Sequence, residues 1–357
     1  MTLAQPVRIG IIGAGNIGKV HIREFLRLDS AVVLGVTDAV PELAKRTREE
    51  FSLPKVYENI DNMLLDDEID AVVIGVPNRW HAPIAISALE AGKHVLLEKP
   101  MAIDSAAAKD IVRAQQRTGK VLMISHQMRW QWNALAIKEQ VEKGELGRIY
   151  MAKTGWMRRK GIPGWGTWFT RKEDAGGGPL IDIGVHMLDL AMYLMGNPKP
   201  VAVYGSTYAE FGPRRRGIGN WGTPNWDGRF DVEDLASALI KMEDGSTLTL
   251  DVSWAVHADT DSQPFVHLMG SEGGASIVGQ RAKFLTEKFN QPLQVELTPP
   301  QEDEGERARL SRHFVECVQT GREPISSAVT GLANNLILDA IYESSRSGRE
   351  VLLDWSL

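Results

Sequence analysis

Hydrophobic positions change their rhythm about a third of the way along the chain. Up to residue 125 they fall in short β-branched runs at 7–12, 31–37, 71–76, 94–97 and 121–125, with little polar alternation inside each run. Between these runs apolar residues recur at helical spacing, as in 41–51, 83–91 and 105–118. Unalternating runs separated by amphipathic helices predict parallel strands covered on both faces, a doubly wound α/β sheet.

Beyond residue 125 the texture differs. A helical stretch at 133–143 ends at Gly144, and 148–156 has a strand pattern. Segments 234–242 and 246–254 alternate apolar and polar residues around Glu243-Asp244-Gly245, a hairpin signal. A second hairpin is expected from 265–269 and 275–278, joined through 270–274. Two helices at 307–320 and 331–347 are each closed by a glycine, Gly321 and Gly348. These elements predict an α+β domain with a large, mostly antiparallel sheet and helices on one face. The expected domains are 1–125 and 126–357, with one loose region at 211–228 and no internal repeat.

Composition narrows the function classes. The chain has 357 residues, 43% hydrophobic and 24% charged, which is ordinary for a globular protein. A net charge of −6 gives no broad attraction to nucleic acid or to an anionic membrane. The basic runs Arg158-Arg159-Lys160 and Arg214-Arg215-Arg216 are read as solvated loop charges or as local contacts for an anionic group. A single cysteine, Cys317, forbids an intrachain disulfide, fits a reducing compartment and lies on an apolar stripe that buries it. Residues 1–6 lack the pattern of a signal peptide, and no apolar stretch approaches the ~20 residues that span a bilayer. A cytoplasmic location is the resulting expectation.

Candidate chemistry begins at Gly13-Ala14-Gly15-Asn16-Ile17-Gly18, between the first strand and the first helix. Gly13 suits a tight turn, Gly15 the close approach of a pyrophosphate and Gly18 helix–strand packing. Amides at the start of that helix offset phosphate charge. Asp38 ends the second strand, 25 residues after Gly13, where an acid bonds the adenosine ribose. The pattern is that of a Rossmann dinucleotide site. A carboxylate at 38, followed by Ala39 and Val40 rather than an arginine, favours NAD over NADP.

Two later segments extend the pattern. Glu98-Lys99-Pro100 ends a predicted parallel strand, and Gly176-Gly177-Gly178 leads into Asp182-x-Gly184-x-His186. In that order the three motifs resemble the glucose–fructose oxidoreductase / inositol dehydrogenase (Gfo/Idh/MocA) family, and the resemblance spans the whole chain. It implies a reacting centre of Lys99, Asp182 and His186, and the chemistry of the side chains agrees. Oxidising a secondary alcohol requires a proton acceptor, for which an imidazole suits, and a donor to the developing alkoxide, for which Lys99 suits. If its segment is helical, Asp182 shares a face with His186 and either orients the imidazole or accepts from a neighbouring hydroxyl.

The resemblance also places Pro77, Asn78, His81, Glu98, Lys99 and Trp168 along the cofactor, His81 standing equally well as a helix-start residue. Asp182 and His186 are metal-ligand types, but no further ligand set accompanies them and no metal is expected.

Eight of the ten tryptophans lie between Trp130 and Trp254, and Trp156, Trp165, Trp168, Trp221 and Trp226 flank glycine-rich loops. Such rings suit a sugar or cyclitol, or else they pack loops or a subunit interface. The expected activity is NAD-dependent oxidation of a sugar or cyclitol hydroxyl. The alternative is a glycoside hydrolase that uses tightly bound NAD in a redox-neutral cycle. The resemblance further implies a homodimer or homotetramer.

Overall fold

The computed structural model describes residues 5–259, 261 and 263–357, so most of the N-terminal stretch read for a leader lies outside the described residues. The first compact unit runs through Gln127 and takes back residues 304–332; the second comprises 128–303 and 333–356.

In the first unit strands and helices alternate. They are β1 (Val7–Ile12), α1 (Asn16–Phe25), β2 (Ala31–Thr37), α2 (Pro41–Phe51), β3 (Lys55–Val56), α3 (Ile60–Leu64), β4 (Ala71–Ile74), α4 (His81–Glu90), β5 (His94–Leu97), α5 (Ser105–Thr118) and β6 (Leu122–Ile124). All the strand pairs are parallel, in the order β3-β2-β1-β4-β5-β6. Sidedness explains the unalternating runs: Val72, Val73 and Ile74, like Val95, Leu96 and Leu97, are fully buried because both faces are covered. The strand order reverses between β1 and β4, so the loops at the carboxyl ends of the strands form the ligand-binding edge of such a sheet.

The second unit starts with α6 (Trp132–Glu142), β7 (Ile149–Met157), the short α7 (Lys172–Ala175) and α8 (Val185–Leu194). It continues through β8 (Pro200–Tyr208), β9 (Leu235–Met242), β10 (Thr247–Ser253), β11 (Phe265–Gly270), β12 (Gly274–Val278), β13 (Arg281–Lys288) and β14 (Gln291–Leu297). After α9 (Glu306–Thr320), α10 (Ala328–Ser347) and β15 (Val351–Leu352) close the chain. The nine strands are ordered β14-β13-β12-β11-β7-β10-β9-β8-β15, antiparallel throughout except for the parallel pair β7–β10 at the centre. Along β9 buried Ala236, Ala238 and Ile240 alternate with exposed Ser237, Leu239 and Lys241, leaving one face of the sheet open.

The two units are therefore not the consecutive segments 1–125 and 126–357. Helix α9 returns to the first unit, where Phe314 meets Phe25 of α1 edge-on at 6.3 Å, and Ser326 Oγ then donates to Ile124 O at 2.7 Å. An apolar stripe in the sequence says that α9 is buried but not against which sheet. Cys317 is fully buried on that stripe, as its spacing predicts.

Candidate active site

Lys99 belongs to the first unit and Asp182, His186 and Trp168 to the second, so each half is built separately.

In the first unit the glycine turn follows β1. Gly13 has φ +103°, and a Cβ there would stand 2.3 Å from Gly75 O, so only glycine fits. At Gly18 a Cβ would meet Gly13 O at 1.9 Å, which is how helix α1 approaches the strand end so closely. Gly15 faces open space. No side chain caps α1 and its first turn holds no acid, so its leading amides remain for an anion; Asn16 and Ile17 supply the first two positions. Asp38 accepts the Ala14 N–H through Oδ2 and the Val40 N–H through Oδ1, each at 2.8 Å. A carboxylate accepts about four hydrogen bonds, so a ribose diol can still be served. This cradle fits the diphosphate and ribose of a dinucleotide.

Pro77 leads a 3-10 turn, Asn78–Trp80, into α4. Asn78 is buried at the carboxyl edge. His81 is buried with Nδ1 2.7 Å from Pro100 O and Nε2 2.9 Å from Val76 O. Both ring nitrogens thus serve the backbone, and His81 clamps the turn after β4 to the Glu98-Lys99-Pro100 segment. Burial pushes its pKa down, against the pull of the two carbonyls.

Lys99 is half-buried at the end of β5, and its peptide bond to Pro100 is cis. Glu98 is buried beside it, with Oε1 2.8 Å from His21 Nε2 and 3.9 Å from Arg307 Nη1. Its Oε2 accepts the Lys99 N–H at 3.3 Å. Burial alone would raise this carboxyl, but His21, Arg307 and Lys99 together hold it well below the usual carboxylate range. The family motif offered Glu98 but not its two partners. His21 lies on α1 and Arg307 on α9, 77 and 209 residues away in the chain.

In the second unit the glycine-rich segment is held by an acid that the sequence did not single out. Glu233, buried just before β9, accepts the Gly178 and Leu180 N–H groups at 3.0 Å and the Tyr342 hydroxyl at 3.0 Å. A Cβ on Gly177 would stand 1.8 Å from Tyr342 Oη, and one on Gly178 2.0 Å from Glu233 O. The next residue, Asp234, takes the Phe211 and Gly212 N–H groups at 2.6 and 2.9 Å and so ties down the loose 211–228 segment.

From this anchor a π-helical turn, Leu180–Gly184, runs directly into α8. Such turns recur at functional sites. Asp182 lies within it and His186 at the start of α8, both half-buried. Asp182 Oδ2 accepts the indole N–H of the fully buried Trp254 at 3.0 Å, fixing the carboxylate one turn before the imidazole.

The tryptophans divide by role. Trp165 is buried, stacks on Trp226 at 5.6 Å and donates to Gly212 O at 2.8 Å, so it packs loops. Trp168 is half-buried against Phe169, which Trp221 meets edge-on at 4.7 Å. Among the described residues no three His, Cys, Asp or Glu side chains gather as metal ligands, and no helix is long and apolar enough to cross a membrane.

Known proteins place this geometry. Residues 7–126 match an oxidoreductase family with an NAD-binding Rossmann fold, and 134–276 match the GFO/IDH/MocA C-terminal domain. The D-glucoside 3-dehydrogenase of Escherichia coli K12 is 33% identical over 352 residues, covering 98% of each chain. Among solved structures, an aldose-aldose oxidoreductase from Caulobacter crescentus complexed with glycerol superposes with a TM-score of 0.83 at 27% identity, over 98% of this chain and 100% of that one. Levoglucosan dehydrogenase in complex with NADH and levoglucosan shares the fold, with a TM-score of 0.87 at 23% identity over 98% and 100% of the two chains. With both halves of the pattern matched and its glycine turn built for a dinucleotide, the chain belongs to the Gfo/Idh/MocA family of NAD-binding oxidoreductases.

Proposed function

We propose that the protein oxidises a secondary hydroxyl of a sugar, sugar derivative or cyclitol, with Lys99, Asp182 and His186 as the reacting side chains. The observation that carries this reading is the placing of Asp182 and His186 one turn apart where a π-turn enters α8, with the Asp182 carboxylate fixed by the Trp254 N–H. The kinship supports the substrate class, since the relative from E. coli is named for oxidising D-glucosides.

Bound nicotinamide supplies a two-electron acceptor. Gly13, Gly15 and the first amides of α1 hold its diphosphate, and Asp38 takes the adenosine ribose. His186 accepts the proton of the reacting hydroxyl. Lys99 donates to that oxygen as negative charge develops, and Glu98 holds the lysine's own N–H. Asp182 accepts from His186 or from a neighbouring substrate hydroxyl.

Reduced-nicotinamide absorbance on mixing the protein with NAD and a panel of glycosides, free sugars and inositols tests the reading. A sustained rise with one class is expected. No rise from any member would refute it and redirect attention to redox-neutral glycoside cleavage. Run with NADP, the same assay should give a much higher cofactor KM, because Asp38 repels a 2′-phosphate and neither Ala39 nor Val40 offers a cation.

A homodimer or homotetramer is also proposed, joined through the open face of the second sheet. Tyr204 and Leu239, neighbours across β8 and β9, are 52% and 46% exposed there. Sedimentation as a monomer at micromolar concentration would contradict it.

A further inference from the structure

Arg158 is left over from the site just described. On β7, Ala152, Thr154 and Trp156 face the side covered by α8: Thr154 Oγ1 donates to Phe265 O at 2.8 Å and lies 3.3 Å from Met187 O of α8. Arg158, two residues past Trp156, stacks its guanidinium on that indole with Cζ 3.9 Å from the ring centroid. Its backbone N–H bonds Ser253 O at 3.0 Å, next to Trp254, the residue that fixes Asp182. Gly161 makes the room: a Cβ there would stand 2.8 Å from Arg158 Cδ.

The guanidinium is half-buried, yet among the described residues none of its N–H groups has an acceptor and no carboxylate lies in ion-pair range. Burial works against its charge, while Asp182 and Asp261 favour that charge from farther off. A stacked, partly desolvated guanidinium whose donors meet no acceptor among the described residues is set to donate to the oxygens of a ligand.

We propose that Arg158 is a substrate-binding residue of the Asp182–His186 site, donating to a sugar hydroxyl next to the one oxidised, so that Arg158 and Asp182 together read a neutral vicinal diol. The proposal rests on the reading of Asp182 and His186 given above. A hydroxyl both accepts and donates, so a diol satisfies the arginine fork and the carboxylate at once. The two protein charges offset each other, which matches an uncharged polyol. A sugar acid would bring its carboxylate beside Asp182, so the basic run at 158–160 does not select acidic sugars.

Calorimetry with the NADH-loaded full-length protein reads sugar binding independently of turnover. The probes are methyl glucoside, its monodeoxy analogues, myo-inositol and glucuronate. Arg158→Gln should weaken the best neutral ligand by about tenfold or more, the worth of one charge-assisted hydrogen bond. The affinity for NADH should stay within about twofold, since the substitution leaves the dinucleotide cradle untouched.

One deoxy analogue should lose about tenfold in the wild type and almost nothing in the variant, naming the hydroxyl that Arg158 holds. Gly161→Ala, which crowds the arginine stem without changing charge, should reproduce that analogue-specific loss. An unchanged affinity in Arg158→Gln, an equal loss on every analogue, glucuronate binding more tightly than the glucoside, or no neutral ligand bound at all would each overturn the proposal. Binding without turnover would refute the dehydrogenase reading instead and leave the Arg158 comparison intact.

Discussion

Lys99→Ala is expected to lower kcat by about 10²–10⁴-fold, far more than it weakens NAD binding, the loss typical when a group acting on the reacting oxygen is removed. His186→Ala should fall in the same range. Both side chains are half-buried, and each neighbours a buried residue that carries the local packing, Glu98 beside Lys99 and Met187 beside His186. Truncation should therefore spare the fold. Neither residue belongs to the glycine turn or to the Asp38 contacts, so cofactor affinity is a separate readout. Near wild-type turnover in both variants would overturn the catalytic assignment. A loss confined to KM would demote them to binding residues, because an interaction made only in the transition state lowers kcat.

The second large effect concerns stability. Arg129 and Asp189 form a two-point ion pair, Nε to Oδ2 at 2.7 Å and Nη2 to Oδ1 at 2.6 Å, with both side chains about 1% exposed. Asn334 Nδ2 donates to the same carboxylate at 2.9 Å, and the guanidinium lies over the Tyr193 ring at 5.0 Å. Asp189 stands one turn after His186 on α8, so the pair also anchors the helix that carries the imidazole.

Asp189→Ala removes the carboxylate that faces a buried guanidinium and should cost about 3–5 kcal/mol. For a unit of this size that is a fall in Tm on the order of 10 °C. Replacing both partners together, as Arg129→Met with Asp189→Leu, should cost less than either single alanine change, since neither buried charge remains. Scanning calorimetry decides it. A single-variant Tm within about 2 °C of wild type would show that the pair contributes little to stability.

Much of the fold was legible because its physics is local. Parallel strands buried on both faces must be continuously apolar, and β1, β2 and β5 occupy the residues their runs predict. Gly13 and Gly18 were legible because a tight turn and a close helix approach admit no side chain. Strands β13 and β14 lacked such a signal: β14 is mostly exposed, so no alternation marks it. The central β7–β10 pairing is parallel and joins strands separated by residues 158–246, whereas the sequence marks only the local β9–β10 hairpin, and chain order says nothing of which distant strand lies beside which.

Sequence by itself determined the doubly wound first sheet and the glycine turn with Asp38, because each depends on residue type at short spacing; the trio Lys99, Asp182 and His186 entered through the order of its motifs and the family they resemble. Tertiary structure alone decided what supports them. Glu98 rests on His21 and Arg307, Asp182 on Trp254, and the glycine-rich segment on Glu233 and Tyr342. It also gave α9 to the first unit and left the Arg158 guanidinium without an acceptor among the described residues beside Trp156. The physical reason is that buried polar groups must be satisfied, and the partners that satisfy them come from wherever the chain happens to return.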